Sequence, residues 1–148
     1  MRFLALLLLA LLSFTAQAKL DPNRSIVVAF DRVYDGDTVV VRLDVLPEPL
    51  NKLRIRIEGI DTPEIKRGAK CPQEEERGQA ARQHLAELLG SAKELRVYQF
   101  RWDKYGGRLL GDLRTPEGSM RDLMIKSGLA MPYSGEGQRR NWCADAPQ

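Results

Sequence analysis

Four side chains with the chemistry of an ion-binding site lie close together in the sequence: Arg56, Asp61, Thr62 and Glu64. Carboxylate oxygens are the ligands that hard cations such as Ca²⁺ and Mg²⁺ prefer, and a guanidinium binds a phosphate through paired hydrogen bonds. A patch that contains both groups can hold a divalent cation next to a phosphate. Whether these groups meet in space depends on the elements that carry them.

The segment that precedes the carboxylates has the pattern of a strand. Apolar and charged residues alternate with a period of two from Leu53 to Glu58, which predicts that one face packs on a core and the other carries Arg56. The pattern breaks at Gly59 and again at Pro63. Both carboxylates therefore follow just beyond the strand, within reach of Arg56.

A further candidate ligand, Asp37, comes from an earlier hairpin. The sequence Asp35-Gly36-Asp37 lies between two β-branched apolar runs at 25–30 and 38–43, and Asp-Gly favours a hairpin turn. A solvated acid beside the turn would explain the same pattern, although a turn does not require an acid at the start of the second strand. An EF-hand fits poorly because Val39 would stand at a ligand position. Asp37 is therefore predicted to be a metal carboxylate that needs partners from elsewhere.

A second hairpin supplies another arginine. The runs 95–101 and 108–113 read as strands, and the link between them contains Tyr105, Gly106 and Gly107. The link is typical of a glycine-rich turn whose aromatic residues could simply pack on the core. It also leaves Tyr105 on an exposed tip and Arg108 at the start of a strand.

Two helices complete the predicted elements. Helical spacing of apolar residues predicts one helix at about 74–89 that ends at Gly90. A capping-box-like start at Ser119 predicts a second helix through Ser127. His84, on the first helix, is interpreted as structural or surface rather than as a general base.

The order of elements is three strands, a helix, two strands and a helix. This α+β order is compatible with a five-stranded Greek-key barrel of the OB-fold type with two helices. Residues 19–148 are the size of one domain, with a core at about 25–133 and a tail at 134–148. The net charge of +3 is too small to argue for nucleic acid by itself.

The first 18 residues are predicted to be a secretory signal peptide. Arg2 precedes a run of mainly Leu and Ala from 3 to 14, and Ala16-Gln17-Ala18 is a small-x-small cleavage site. A membrane-spanning helix is the alternative, but the apolar run is shorter than the roughly 20 residues that a bilayer requires. We expect cleavage after Ala18, a secreted or periplasmic protein and no membrane association after cleavage.

The two cysteines, Cys71 and Cys143, are expected to form a disulfide in such an oxidising compartment. A bridge that closes a loop of about 70 residues would stabilise the fold by roughly 4 kcal/mol and tie the tail to the domain. A reactive thiol at Cys71, just ahead of a helix start, is the competing interpretation.

The motifs taken together resemble the staphylococcal nuclease family over about residues 25–133. The matching segments are Tyr34-Asp35-Gly36-Asp37-Thr38, Arg56-Ile57-Glu58-Gly59-Ile60-Asp61-Thr62-Pro63-Glu64, Asp103-Lys104-Tyr105-Gly106-Gly107-Arg108 and Ser127-Gly128-Leu129-Ala130. The resemblance implies an OB-fold and a calcium-dependent phosphodiesterase that cleaves DNA and RNA with little sequence preference. It implies no obligate protein partner, and we expect a monomer.

The resemblance also implies a role for each matched residue. Ca²⁺ would be held by the carboxylates of Asp37 and Asp61 and the main-chain carbonyl of Thr62, since hard oxygen ligands suit Ca²⁺ better than zinc. Glu64 would act as general base on the attacking water, or position that water without taking its proton. The residues expected on the substrate are Arg56 and Arg108 at the phosphate and Lys104 and Tyr105 at the nucleotide.

Two departures from the family pattern bear on the site. Two glycines rather than one precede Arg108, so this arginine is either displaced or kept in place by a bulge. The chain after Tyr133 is short and ends in the tail that carries Cys143, and this tail is not expected to touch the metal ligands. The alternatives to a nuclease are a catalytically silent OB module that binds nucleic acid or protein, and a structural calcium domain.

Overall fold

The computed structural model describes residues 24–144. The predicted signal peptide and the last four residues of the tail lie outside this range. Within it, no helix is both long enough and apolar enough to cross a membrane. The description that follows therefore concerns the predicted domain and most of its tail.

Five strands of five or more residues form the body of the domain. They are β1 (Ser25–Asp35), β2 (Thr38–Arg42), β3 (Lys52–Ile57), β5 (Leu95–Trp102) and β6 (Leu109–Thr115). Three two-residue strands complete the set: β4 (Ile60–Asp61), β7 (Gly118–Ser119) and β8 (Met131–Pro132). The five long strands are those that the sequence predicts, whereas the short ones have no counterpart in the prediction.

The five long strands close into a barrel. β1 pairs with both β2 and β5, β2 pairs with β3, and β5 pairs with β6, all antiparallel. The closure comes from a parallel pairing of β3 with β6, in which Arg56 lies opposite Leu110. A closed five-stranded barrel with two helices is an OB-fold, and the predicted fold class is confirmed.

The apolar face of the alternating strands fills the barrel. Val39, Val41, Ile55 and Ile57 have no measurable exposure, because successive side chains of a strand point to opposite faces and these occupy the inner one. The opposite face of β3 carries Arg56 toward the outside of the barrel. The same alternation that buries Ile55 and Ile57 in the core therefore places Arg56 on the outer face of the barrel.

Helix α1 (Pro72–Gly90) packs on the barrel next to β1. It begins with Pro72 directly after Cys71, whose sulfur accepts a hydrogen bond from the main-chain N–H of Glu74. The side chains of Ala81, Leu85 and Leu89 are buried in the core. The predicted helix is therefore confirmed, with a start two residues earlier than the pattern indicated.

Helix α2 (Met120–Lys126) confirms the second predicted helix but not its cap. The hydroxyl of Ser119 makes no hydrogen bond to the helix N-terminus. It donates instead to Asp112 Oδ1 at 2.7 Å, and both residues are buried. The predicted capping box is wrong: the hydroxyl is directed at a buried carboxylate on β6, a charged acceptor, and makes no hydrogen bond with the N–H groups of its own helix.

The predicted disulfide is confirmed. Cys71 and Cys143 are bonded across 72 positions of sequence, and neither is a free thiol. The bond joins the start of α1 to the end of the tail. The alternative interpretation of Cys71 as a reactive thiol is therefore wrong.

Candidate active site

Asp37 lies in the turn between β1 and β2 and is almost completely buried. Its Oδ1 accepts hydrogen bonds from Arg56 Nη1 at 2.7 Å and from Thr38 Oγ1 at 3.0 Å. Thr38 and Arg56 are opposite each other in the β2–β3 pairing. The register of β2 and β3 thus places Arg56, the predicted phosphate-binding arginine, in contact with Asp37, the predicted metal ligand.

The turn that carries Asp37 packs against the second predicted ligand segment. A Cβ added to Gly36 would lie only 2.8 Å from Thr62 Oγ1 and 2.9 Å from Ala81 Cβ. Glycine is therefore required at position 36 by the close approach of Thr62 on one side and α1 on the other. This contact brings together two segments that are distant in sequence.

Asp61 is the end of β4, the short strand that pairs with Met131 in β8. Its side chain is only 1% exposed, and both of its oxygens are hydrogen-bonded by the tail. Oδ1 accepts from Arg139 at 2.5 Å, and Oδ2 accepts from the indole N–H of Trp142 at 3.0 Å. The expectation that the tail does not touch the metal ligands is therefore wrong.

Glu64 is held in place through its main chain. Its N–H donates to Glu74 Oε1 at 3.3 Å, and its carbonyl oxygen would lie 2.4 Å from a Cβ added to Gly78 of α1. Its side chain is about one-third exposed, and Oε1 accepts from Arg139 Nη1 at 2.8 Å. Glu74 also accepts from the N–H of Lys70, so one buried carboxylate supports the loop that presents Glu64.

Arg108 lies in the same cleft as Arg56 despite the additional glycine. Gly106 and Gly107 both have positive φ, at 70° and 71°, and a Cβ at either would contact nothing within 4 Å. The turn absorbs the additional residue, and Arg108 Nε donates to the buried Asp103 at 2.6 Å. This hydrogen bond lowers the pKa of Asp103, which keeps it ionised as a support for Arg108.

The cleft that contains both arginines has a volume of about 570 Å³. Its walls also include Lys104, Tyr105 and Arg139, and the Lys104 ammonium lies 5.0 Å from the centre of the largely exposed Tyr105 ring. With Arg101, the cleft thus combines five cationic groups with the aromatic ring of Tyr105. Such a surface can bind a phosphate ester and stack on a base.

The positive charge of Arg56 does not fully offset the cost of burying the Asp37 carboxylate. Burial raises the pKa of Asp37 from 3.8 to about 7, although the charge of Arg56 acts in the opposite direction. Burial alone would lower the pKa of Arg139, but its hydrogen bonds to Glu64 and Asp61 outweigh this and raise it. The site therefore favours additional positive charge near Asp37.

The donor atoms fit a hard cation. Asp37, Asp61 and the Thr62 main chain offer only oxygen, which suits Ca²⁺ rather than zinc. Among residues 24–144, one group of three Cys, His, Asp or Glu side chains has its ligand atoms within 4.8 Å of one another, and it consists of Cys71, Glu74 and Cys143. Because both sulfurs belong to the disulfide, that group provides no thiolate ligands.

The buried Asp37 predicts a pH-dependent stability. Because its folded pKa lies above its unfolded value, the native protein binds a proton more tightly, and its stability falls as pH rises from about 4 to 7. We expect Asp37→Asn to remove this loss, so that its stability advantage over the unmutated protein grows by roughly 2 to 3 kcal/mol between pH 5 and pH 8. Urea unfolding in chelator measures this advantage. The exposed Asp122→Asn is the control, and an advantage that does not change with pH would contradict the prediction.

Three residues of the site were not singled out by the sequence: Glu74, Arg139 and Trp142. Glu74 belongs to an acidic helix start, where exposure is the usual outcome. The tail has neither periodicity nor a recognisable motif. The adjacent pair Trp142 and Cys143 was the available signal, since a disulfide that ties a large apolar side chain to the domain indicates a packed tail rather than a loose one.

Comparisons with known proteins identify the family of the chain. The family described as staphylococcal nuclease homologue matches residues 54–144, a range that includes the tail but not Asp37. A protein of Oryza sativa subsp. japonica described as "Probable staphylococcal-like nuclease CAN1" is 34% identical over 88 residues, which is 60% of this chain and 24% of that protein. The chain thus spans about a quarter of the length of this relative.

Proposed function

Because the chain belongs to the family of staphylococcal nuclease homologues, we propose that it is a Ca²⁺-dependent nuclease that hydrolyses phosphodiester bonds of DNA and RNA. The observation that carries this proposal is the single cleft lined by Arg56 and Arg108, with Asp37 bonded to one of these arginines. A phosphate between two guanidinium groups and next to buried carboxylates is the arrangement that such a reaction needs.

The two arginines would bind the scissile phosphate. Each is fixed by a buried aspartate, Arg56 by Asp37 at 2.7 Å and Arg108 by Asp103 at 2.6 Å. A guanidinium that is oriented in advance stabilises the charge that builds on the phosphate oxygens without a further cost of reorganisation.

Glu64 would accept the proton of the attacking water or orient that water. It follows the ligand segment directly, and its main chain is fixed by Glu74 and Gly78. Asp37, Asp61 and the Thr62 carbonyl would hold Ca²⁺, which when bound supplies a Lewis acid next to the phosphate. In this proposal Glu64 acts on the attacking water, and the two arginines bind the phosphate.

Low sequence specificity follows from the same surface. Contacts to phosphates carry no sequence information, and the stacking ring of Tyr105 accepts any base. The segment 1–18 supports a secreted or periplasmic location. A protein of this kind would degrade nucleic acid outside the cytoplasm.

The test is degradation of plasmid DNA and of RNA by the purified protein with Ca²⁺ or with chelator. We expect degradation only with Ca²⁺, and a loss of about 10²-fold in rate for Arg108→Gln. The matched control is Arg114→Gln, because Arg114 also donates its Nε to a buried aspartate at 2.6 Å but lies outside the cleft. It belongs to β6, the strand that Arg108 directly precedes. Absence of Ca²⁺-dependent degradation by the unmutated protein would overturn the proposal in favour of a silent binding module.

A further inference from the structure

The tail returns to the candidate metal ligands and is fixed there at both ends. At its start, the N–H of Tyr133 donates to the carbonyl of Gly59 at 2.9 Å. At its end, Cys143 is bonded to Cys71. The segment between these two anchors carries Arg139 and Trp142, which contact Asp61, and Arg139 also contacts Glu64.

Trp142 contacts Asp61 from the protein interior. Trp142 is 5% exposed. Its main-chain carbonyl oxygen accepts a hydrogen bond from Arg77 Nη1 at 3.0 Å, and the Arg140 guanidinium lies 4.9 Å from the centre of the indole ring. The indole N–H donates to Asp61 Oδ2 at 3.0 Å. A buried donor of this kind fixes the rotation of the carboxylate and leaves Oδ1 as the oxygen available to a cation.

Arg139 occupies that available oxygen. Its Nε and Nη2 both lie 2.5 Å from Asp61 Oδ1, and its Nη1 lies 2.8 Å from Glu64 Oε1. Arg139 lines the cleft, whereas neither carboxylate is part of the cleft wall. The guanidinium thus stands between the cleft and the two carboxylates and carries the positive charge that a metal would otherwise supply.

We infer that the disulfide-tied tail sets the metal affinity of the site through two opposed contacts. Trp142 is a positioning residue that orients Asp61 toward the cation, and Arg139 is an internal counter-ion that the cation must displace from Asp61 Oδ1. This inference rests on the proposed function, since it takes Asp61 as a metal ligand. It adds two residues of opposite effect, three positions apart in the sequence, which bind the two oxygens of the same carboxylate.

The test is Ca²⁺ binding measured by calorimetry, without substrate. We expect Arg139→Gln to tighten binding roughly fivefold, because a competing ion pair is removed. We expect Trp142→Phe to weaken it roughly tenfold, because Asp61 loses the donor that orients it. Matched controls are Arg96→Gln, a surface arginine paired with Glu94, and Trp102→Phe, an exposed tryptophan.

The opposite signs distinguish this inference from a purely structural role. A tail that merely stabilises the domain would give shifts in the same direction for both variants, and that result would overturn the inference, as would unchanged affinities. Failure of the unmutated protein to bind Ca²⁺ would overturn both the metal requirement and the effect of the tail on it. Binding of Ca²⁺ with opposite shifts but without nucleic-acid degradation would support the inference while the proposed nuclease fails.

A second measurement does not depend on metal. The chain contains two tryptophans, so an amide-correlated NMR spectrum shows two indole N–H resonances. We expect Asp61→Asn to move the resonance of Trp142, because an amide oxygen accepts more weakly than a carboxylate, and to leave that of Trp102 in place. An unmoved Trp142 resonance would overturn its assignment as a positioning residue.

Discussion

We expect Glu64→Gln to lower kcat by roughly 10²- to 10⁴-fold and to leave KM nearly unchanged. Glutamine keeps the size of the side chain and an oxygen acceptor for Arg139, but it cannot take a proton from water. The main-chain contacts that fix position 64, from Glu74 and Gly78, are unaffected by the change. Steady-state cleavage of a short labelled oligonucleotide in saturating Ca²⁺ measures both constants.

The control for this variant is Glu58→Gln. Glu58 lies in the cleft wall, and its carboxylate is bound by both Nη1 and Nη2 of Arg101 at 2.6 and 2.5 Å. Its replacement removes the same charge from the neighbourhood of the two arginines, so an effect of net charge alone would appear in both variants. A loss in Glu58→Gln as large as that in Glu64→Gln would show that Glu64 has no specific role in the reaction.

The alternation of β3 could be predicted because local sequence determines which face of a strand is apolar. Ile55 and Ile57 are buried, and Arg56 points outward, as a period of two requires. Strand β1 extends to Asp35 rather than ending near Phe30 as predicted. Its pairing with β2 shifts register after Phe30, where charged residues interrupt the apolar run and conceal the continuation of the strand.

Contacts that depend on distant parts of the chain could not be predicted in the same way. The strands β4 and β8 have two residues each, too few for a pattern, and their pairing places Asp61 opposite Met131. The approach of Arg139 and Trp142 to Asp61 follows from the disulfide and from packing across the domain. The pair Trp142 and Cys143 indicates a packed tail, but nothing in the sequence of the tail indicates that it packs on Asp61.

The sequence did not determine whether the additional glycine displaces Arg108, whereas the backbone conformation does. Two consecutive glycines permit two consecutive positive φ angles, so the turn lengthens without moving the start of β6. Leu109 remains opposite Ile55 in the parallel pairing that closes the barrel. Barrel closure, rather than the length of the turn, therefore determines where Arg108 lies.

Gly78→Ala is expected to have the largest effect on stability, a loss of roughly 2 to 3 kcal/mol. The added Cβ would lie 2.4 Å from the Glu64 carbonyl oxygen and 2.8 Å from Ile65 Cγ2, and a main-chain atom that also anchors the site cannot move aside easily. Gly90→Ala is the matched control, because Gly90 belongs to the same helix and a Cβ there contacts nothing within 4 Å.

The helix propensity of alanine predicts that this control gains up to about 0.5 kcal/mol, less than in a helix interior, because Gly90 is the last residue of α1. The two substitutions are both glycine to alanine, yet they should change the free energy of unfolding in opposite directions. Urea unfolding of both variants measures the difference. Because α1 must withdraw from the loop to accept the methyl group, the folded fraction of Gly78→Ala should also lose cleavage activity through displacement of Glu64. Equal stabilities for the two variants would mean that α1 does not hold the Glu64 loop by this contact.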